Sequence, residues 1–234
     1  MEQNSKNPFF GIYQTPFGTP PFDRIKTEHY EPAFDEGIRQ LDKEVRAIAD
    51  NAELPTFENT IVALERSGKL LDKVSSAFFN VLNAEADDEM MDISQRVSPK
   101  LSESSNNIYL NEKLFARVKS VYDRREELHL PTEDARLLEK TFEAFSTRGA
   151  ALEPENKEKY RKLSSELSLL SLTFEQNALK DKNRYELLLT QESELEGLPE
   201  SIREAAAFRA KEKGKTGWLF NLSAPSYVPF MRYS

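Results

Sequence analysis

The chain has no cysteine among its 234 residues. Disulfides and thiolate metal sites are therefore excluded, and a reducing compartment is compatible with the sequence without being proven. Histidine is nearly as scarce, with His29 and His129 standing a hundred positions apart. Glycine, at 8 residues, is too sparse for the turn-rich all-β architectures. Positive charge is in deficit, 32 Lys and Arg against 40 Asp and Glu for a net −8, which argues against nucleic acid or an anionic membrane as a general partner. No apolar run reaches the roughly 18 residues of a membrane span. Met1–Phe10 carries Glu2 and polar residues where a signal peptide needs basic and then apolar ones, so the literal reading is cytoplasmic, with a removed signal peptide left open.

What remains is 38% hydrophobic and 31% charged, the profile of a helical globular protein. The expected fold is mainly α: an antiparallel bundle of long helices, closed by a small segment of two strands and a helix at the C-terminal end. Three regions are expected, an extended Pro/Phe-rich arm over 1–26, a helical domain over 27–182, and a short mixed segment over 183–234 that begins an incomplete second part. In the arm, Pro8, Pro16, Pro20 and Pro21 disfavour helix, and the phenylalanines Phe9, Phe10, Phe17 and Phe22 are expected to anchor it on its own domain.

Periodicity gives a helix opening near Pro32 with Phe34, Ile38, Leu41, Val45 and Ile48 on one face and Asn51 closing it. A second runs from about Glu58 to Asn83, with Gly68 inside its stripe read as a close approach rather than a break. A third starts at Asp87 and Asp88, and Pro99 should kink or split it. Asn111 caps a fourth helix, and Thr132 a fifth that Gly149 ends. The longest, Pro154 to Lys180, has Tyr160, Leu163, Leu167, Leu170 and Phe174 spaced by three and four, and the other elements are expected to pack along it. Tyr185 to Thr190 and Gly217 to Leu222 read as strands flanking a helix over Glu200–Lys213, with Pro225–Ser234 as an apolar tail.

No motif assembles a catalytic apparatus. Neither histidine lies in H-E-x-x-H, which sets two imidazoles on one helix face around zinc. Glu126-x-x-His129 is half of a di-iron pair, but Lys26 stands where the second copy needs a glutamate before His29. Gly214-Lys215-Thr216 ends like a phosphate loop, yet Arg209 replaces the required glycine and the helix precedes rather than follows. Arg209, Lys211, Lys213 and Lys215 form a basic cluster interrupted by Glu212 and without interleaved aromatics, which reads as a solvated helix end. The expected catalytic, cofactor-binding and metal-ligating residues of this chain are accordingly none.

Two stretches carry a resemblance: Ile25-Lys26-Thr27-Glu28-His29-Tyr30-Glu31-Pro32-Ala33-Phe34, and Pro55-Thr56-Phe57-Glu58-Asn59-Thr60-Ile61 running on to Gly68. Phe174–Leu179, Leu195–Pro199 and Gly217–Phe220 continue it in order. Together they resemble the N-terminal region of the thimet-oligopeptidase-like zinc metallopeptidases, within which the bacterial peptidyl-dipeptidase type is most alike. The resemblance implies a helical wall of a deep channel that admits short peptides. It also implies that zinc, its H-E-x-x-H histidines and the water-activating glutamate belong to a C-terminal catalytic half that this chain does not contain. The chain is then a non-catalytic fragment, expected to be inactive alone and to self-associate through apolar surface meant for the missing half. The alternative is a stand-alone helical domain that binds peptides or a partner without catalysis.

Overall fold

A computed structural model describes residues 7–85 and 87–234. The first six residues of the arm lie outside the described residues. The chain divides into two compact units, Met1–Leu170 and Ser171–Ser234.

The spine of the first unit is α1 (Tyr30–Ala49), whose repeat of Tyr30, Ala33, Phe34, Gly37, Val45 and Ile48 is buried. Its N-terminal half faces α3 (Lys69–Glu85) and α4 (Asp88–Tyr109), where Phe34, Val74, Phe78, Ile93 and Val97 form one apolar core. Its C-terminal half faces α5 (Glu112–Asp123), on which α6 (Thr132–Thr147) packs in turn, and Val45, Ile48, Phe57, Ile61, Leu114, Val118, Leu138 and Phe145 form a second. Gly37 favours the close α1–α3 crossing: a Cβ there would lie 3.0 Å from the Leu71 Cα, a tight contact with backbone that would push the two helices slightly apart.

The stretch expected as one helix over 58–83 is broken. Phe57–Val62 is a π-helical turn, α2 (Ala63–Glu65) follows, and Gly68 at φ 77° separates them from α3. Glu44 explains the break, because its Oε2 accepts the Gly68 N–H at 2.8 Å and so holds the turn against α1. Thr56 caps the π turn: its hydroxyl accepts from the Asn59 N–H at 3.1 Å, and the Asn59 Oδ1 accepts from the Thr56 N–H at 2.9 Å. Thr56→Ala should cost about 1 kcal/mol of the first unit's stability, read by urea denaturation.

Two further expectations need correcting. Of the kink or split expected at Pro99, the split does not occur: α4 runs unbroken through it. Asn111 does cap α5, its Oδ1 accepting from the Leu114 N–H, but Thr132 is the first residue of α6 and Pro131 occupies the cap without a side-chain bond. Gly149 follows the end of α6 in the left-handed region, as expected of a helix stop.

The arm is tied down only in part. Phe9 is buried against Tyr30, and the Lys73 ammonium donates to the carbonyls of Phe9 and Gly11 while sitting 3.6 Å from the Tyr13 ring centroid. Burial pushes the Tyr13 phenol up to about 12, with Tyr30 adding a smaller push. Phe17 and Phe22, expected as anchors, are exposed, and Phe17 holds φ 58° in the turn Pro16–Gly18.

The longest helix, α7 (Pro154–Arg184), is the largest correction. The elements do not pack along its apolar stripe. Leu163, Leu167, Leu170 and Phe174 are 65%, 64%, 59% and 74% exposed, while Lys157 on the opposite side is buried. Within the first unit the helix is held by polar bonds: Lys157 Nζ to Glu112 Oε1 at 2.8 Å, Arg161 to Asn107 Oδ1 at 2.8 Å, and Asn106 Nδ2 to Ser164 Oγ at 2.8 Å.

In the second unit, β1 (Leu187–Leu189) and β2 (Trp218–Phe220) pair antiparallel with Leu188 opposite Leu219. Between them lie a short 3-10 turn and α8 (Glu200–Glu212). Leu189, Leu195, Leu198, Ala206 and Phe220 form its core. The apolar tail forms a helix, α9 (Ala224–Tyr233); Pro225 sits in its first turn, where a missing N–H costs nothing.

Candidate functional site

The residues that resemble a signature at the sequence level do structural work. In Ile25–Phe34, the His29 Nδ1 accepts the Lys26 N–H at 3.0 Å and closes the turn that starts α1, while its carbonyl accepts from Asn7 Nδ2 at 2.8 Å. Tyr30, Ala33 and Phe34 behind it are core.

The second stretch, Pro55–Ile61, surrounds Arg117 of α5, which is only 7% exposed. One guanidinium nitrogen donates to the carbonyls of Asn51 and Glu53 at 2.7 and 2.9 Å, and the other to Asn59 Oδ1 at 2.9 Å and Thr60 Oγ1 at 3.3 Å. All four acceptors are neutral, and the Nε–H meets no acceptor. Arg117 thus clamps the loop after α1 to the π turn through fixed donors, a task suited to the planar guanidinium. Sequence reading missed it. The signal was there, since Arg117 interrupts the Leu114, Val118, Val121 stripe three residues after Leu114 and four before Val121.

His129 stands at φ 48° beyond α5, over an open depression of about 610 Å³ lined by Tyr122, Arg125, Glu126, Arg136 and Glu139 among others. The Glu126 carboxylate lies 3.5 Å from Arg125 Nε, so this glutamate has a cation beside it. The basic cluster is likewise occupied: Lys213 and Lys215 both donate to Glu186, holding its carboxyl at about 2, and Arg209 donates to the Leu219 carbonyl at 2.9 Å. Gly214 ends α8 with φ 66° as a helix stop. Among the described residues no group of three or more His, Asp or Glu side chains is arranged to hold a metal ion, and no helix is long and apolar enough to cross a membrane.

A further depression of about 840 Å³ is lined by Phe9–Ile12, Glu36, Arg39, Lys69 and Lys73 among others. On its rim Arg39 makes a two-pronged bond to Glu36 at 2.6 and 2.7 Å, joined by Gln40 Nε2 at 2.7 Å. The Arg39 bond first, and the Gln40 bond second, hold the Glu36 carboxyl at about 2 against its usual 4.5. A depressed carboxylate stabilises the fold above its unfolded value and loses that contribution as pH falls from about 4.5 towards 2. Because Arg39 is largely in water, solvent screening keeps the contribution small. Glu36→Gln should remove this acid-limb component from a urea-denaturation series between pH 5 and pH 2, and 1 M salt should shrink it in the unchanged protein.

No family model matches the chain. Individual proteins do: over 95% of its length the chain is 41% identical to dipeptidyl carboxypeptidase of Escherichia coli K12, and covers 33% of that protein. It is 28% identical to oligopeptidase A of the same organism over 94% of the chain and 32% of the relative. To the probable cytosolic oligopeptidase A of Arabidopsis thaliana it is 29% identical, over 93% and 32% respectively.

The relatives are peptidases. The match to dipeptidyl carboxypeptidase and oligopeptidase A agrees with the thimet-oligopeptidase-like resemblance expected from the ordered motifs. The chain spans about a third of the length of these curated relatives.

Proposed function

We propose that the chain is the N-terminal, non-catalytic part of a zinc metallopeptidase that hydrolyses short oligopeptides and releases dipeptides from their C-termini. One observation carries the reading: 41% identity to dipeptidyl carboxypeptidase across nearly the whole chain and a third of that relative. Among the described residues no group of His, Asp and Glu side chains is arranged to hold zinc, and the two histidines sit on a turn before α1 and in a loop after α5. The metal and the residues acting with it belong, on this reading, to polypeptide beyond the matched third, in a cytoplasmic enzyme.

The part played by these helices is to wall the substrate channel. A wall of packed helices admits an unfolded peptide and refuses a folded protein, and it keeps bulk water from the electrostatics of the reaction. The arginine clamp and the double core along α1 give such a wall the rigidity it needs. A second reading, a stand-alone helical domain that binds peptides or a partner without catalysis, draws on the exposed leucines of α7.

The reading frame beyond codon 234 separates the two. The peptidase reading expects it to continue and to encode H-E-x-x-H with a glutamate on a following helix. A stop codon directly after Ser234 would remove the enzyme assignment and leave the binding domain.

A further inference from the structure

α7 is built inside out. Its inward side, over Lys157, Arg161 and Ser164, is joined to Glu112, Asn107 and Asn106 by hydrogen bonds between polar groups. Its outward side carries Leu163, Leu167 and Leu170, each more than half exposed, with Phe174 one turn on at 74%. Counted from Tyr160, the spacing is three, four, three, four. That is a mean of 3.5, the seam of a left-handed coiled coil rather than the broader stripe by which a helix lies on a globular core.

We infer that this seam is the docking face for another α-helix with its own apolar seam, crossing at about 20°, and that this helix comes from the part of the polypeptide that the relatives have and this chain does not match. The inference rests on the peptidase reading above. The flanks exclude a membrane surface, because Lys159 and Lys162 stand beside Glu158 and Glu166 instead of forming the basic face that anionic lipid selects. The length argues against a second copy. Two heptads of apolar residues fall short of the three or four that an independent coiled coil sustains, so separate chains would meet only weakly. The same seam suffices when its partner is tethered, since a short link supplies an effective concentration in the millimolar range. The relatives supply the length, as the chain covers about a third of each.

The absence of cysteine makes the test direct. Leu167→Cys places the only thiol in the 234-residue chain on the seam, at a position whose exposure leaves folding unperturbed. Alkylation at residue 167, located by peptide mass mapping, is compared in this chain and in the polypeptide translated from the continuing frame, with unchanged circular dichroism as the control for folding. The expected result is fast labelling in the short chain and labelling about tenfold slower or more in the longer one, as for a side chain reached only through local opening. Equal labelling in both, with the frame continuing, overturns the inference and leaves the peptidase reading standing. Protection in the short chain that deepens with concentration overturns it in favour of a second copy. A frame that ends at Ser234 overturns the peptidase reading and this occupant with it.

Discussion

Phe78→Ala is expected to destabilise the first unit by about 4 kcal/mol, the range for emptying a fully buried aromatic site. Phe78 has no solvent exposure, and its ring lies 5.0 Å from Tyr30, 5.3 Å from Phe34 and 5.2 Å from Phe79, in edge-to-face contact with each. The contacts with Tyr30 and Phe34 tie α1 to α3, so the cavity would open at the junction that both helices share. Edge-to-face pairs add to area burial because the positive ring edge meets the negative ring face. Thermal unfolding should move down by about 10 °C for a unit of this size. Hydrogen exchange should quicken in peptides from α1, α3 and α4, and a shift below about 2 °C would contradict the packing described here.

Arg117→Met is expected to cost about 3 kcal/mol, for a different reason. The methionine fills much of the space but leaves the carbonyls of Asn51 and Glu53 and the side chains of Asn59 and Thr60 without their donor. Each buried acceptor so orphaned costs on the order of 1 kcal/mol or more. Part of that loss is offset, because a desolvated guanidinium without a carboxylate beside it is itself costly to bury. Exchange protection should fall first in residues 51–62. Arg117→Lys should restore little, since one ammonium cannot reach two carbonyls and two side chains in a fixed fork. Full stability in the lysine variant would show that charge, not geometry, holds the clamp.

The helical class and the two-stranded antiparallel sheet were legible because their signals are local. Phe34, Ile38, Leu41, Val45 and Ile48 keep one face over about four turns, and Leu187 and Leu189 alternate as a half-covered strand does. The break at Gly68 was not legible, because the apolar period runs across it, and what opens the turn is a bond from Gly68 N–H to Glu44, 24 positions away. The helix at Ala224–Tyr233 was hidden by Pro225 and Pro229, which read as a tail although the first occupies a position helices tolerate.

α7 teaches the most. Spacing states which residues share a face but not which way that face points. Leucines at 163, 167 and 170 imply core to a reader of one chain, whereas the bonds from Lys157, Arg161 and Asn106 turn them outward. His29 is spent on a helix start, Lys213 and Lys215 on Glu186, and Arg117 on a loop.

The most direct measurement is release of the C-terminal dipeptide from an N-terminally blocked tripeptide, with zinc present, by the purified 234-residue chain and by the polypeptide of the continuing frame. The account expects no release by the chain alone and steady release by the longer protein that a chelator stops. Metal-dependent hydrolysis by the 234 residues unaided would contradict it.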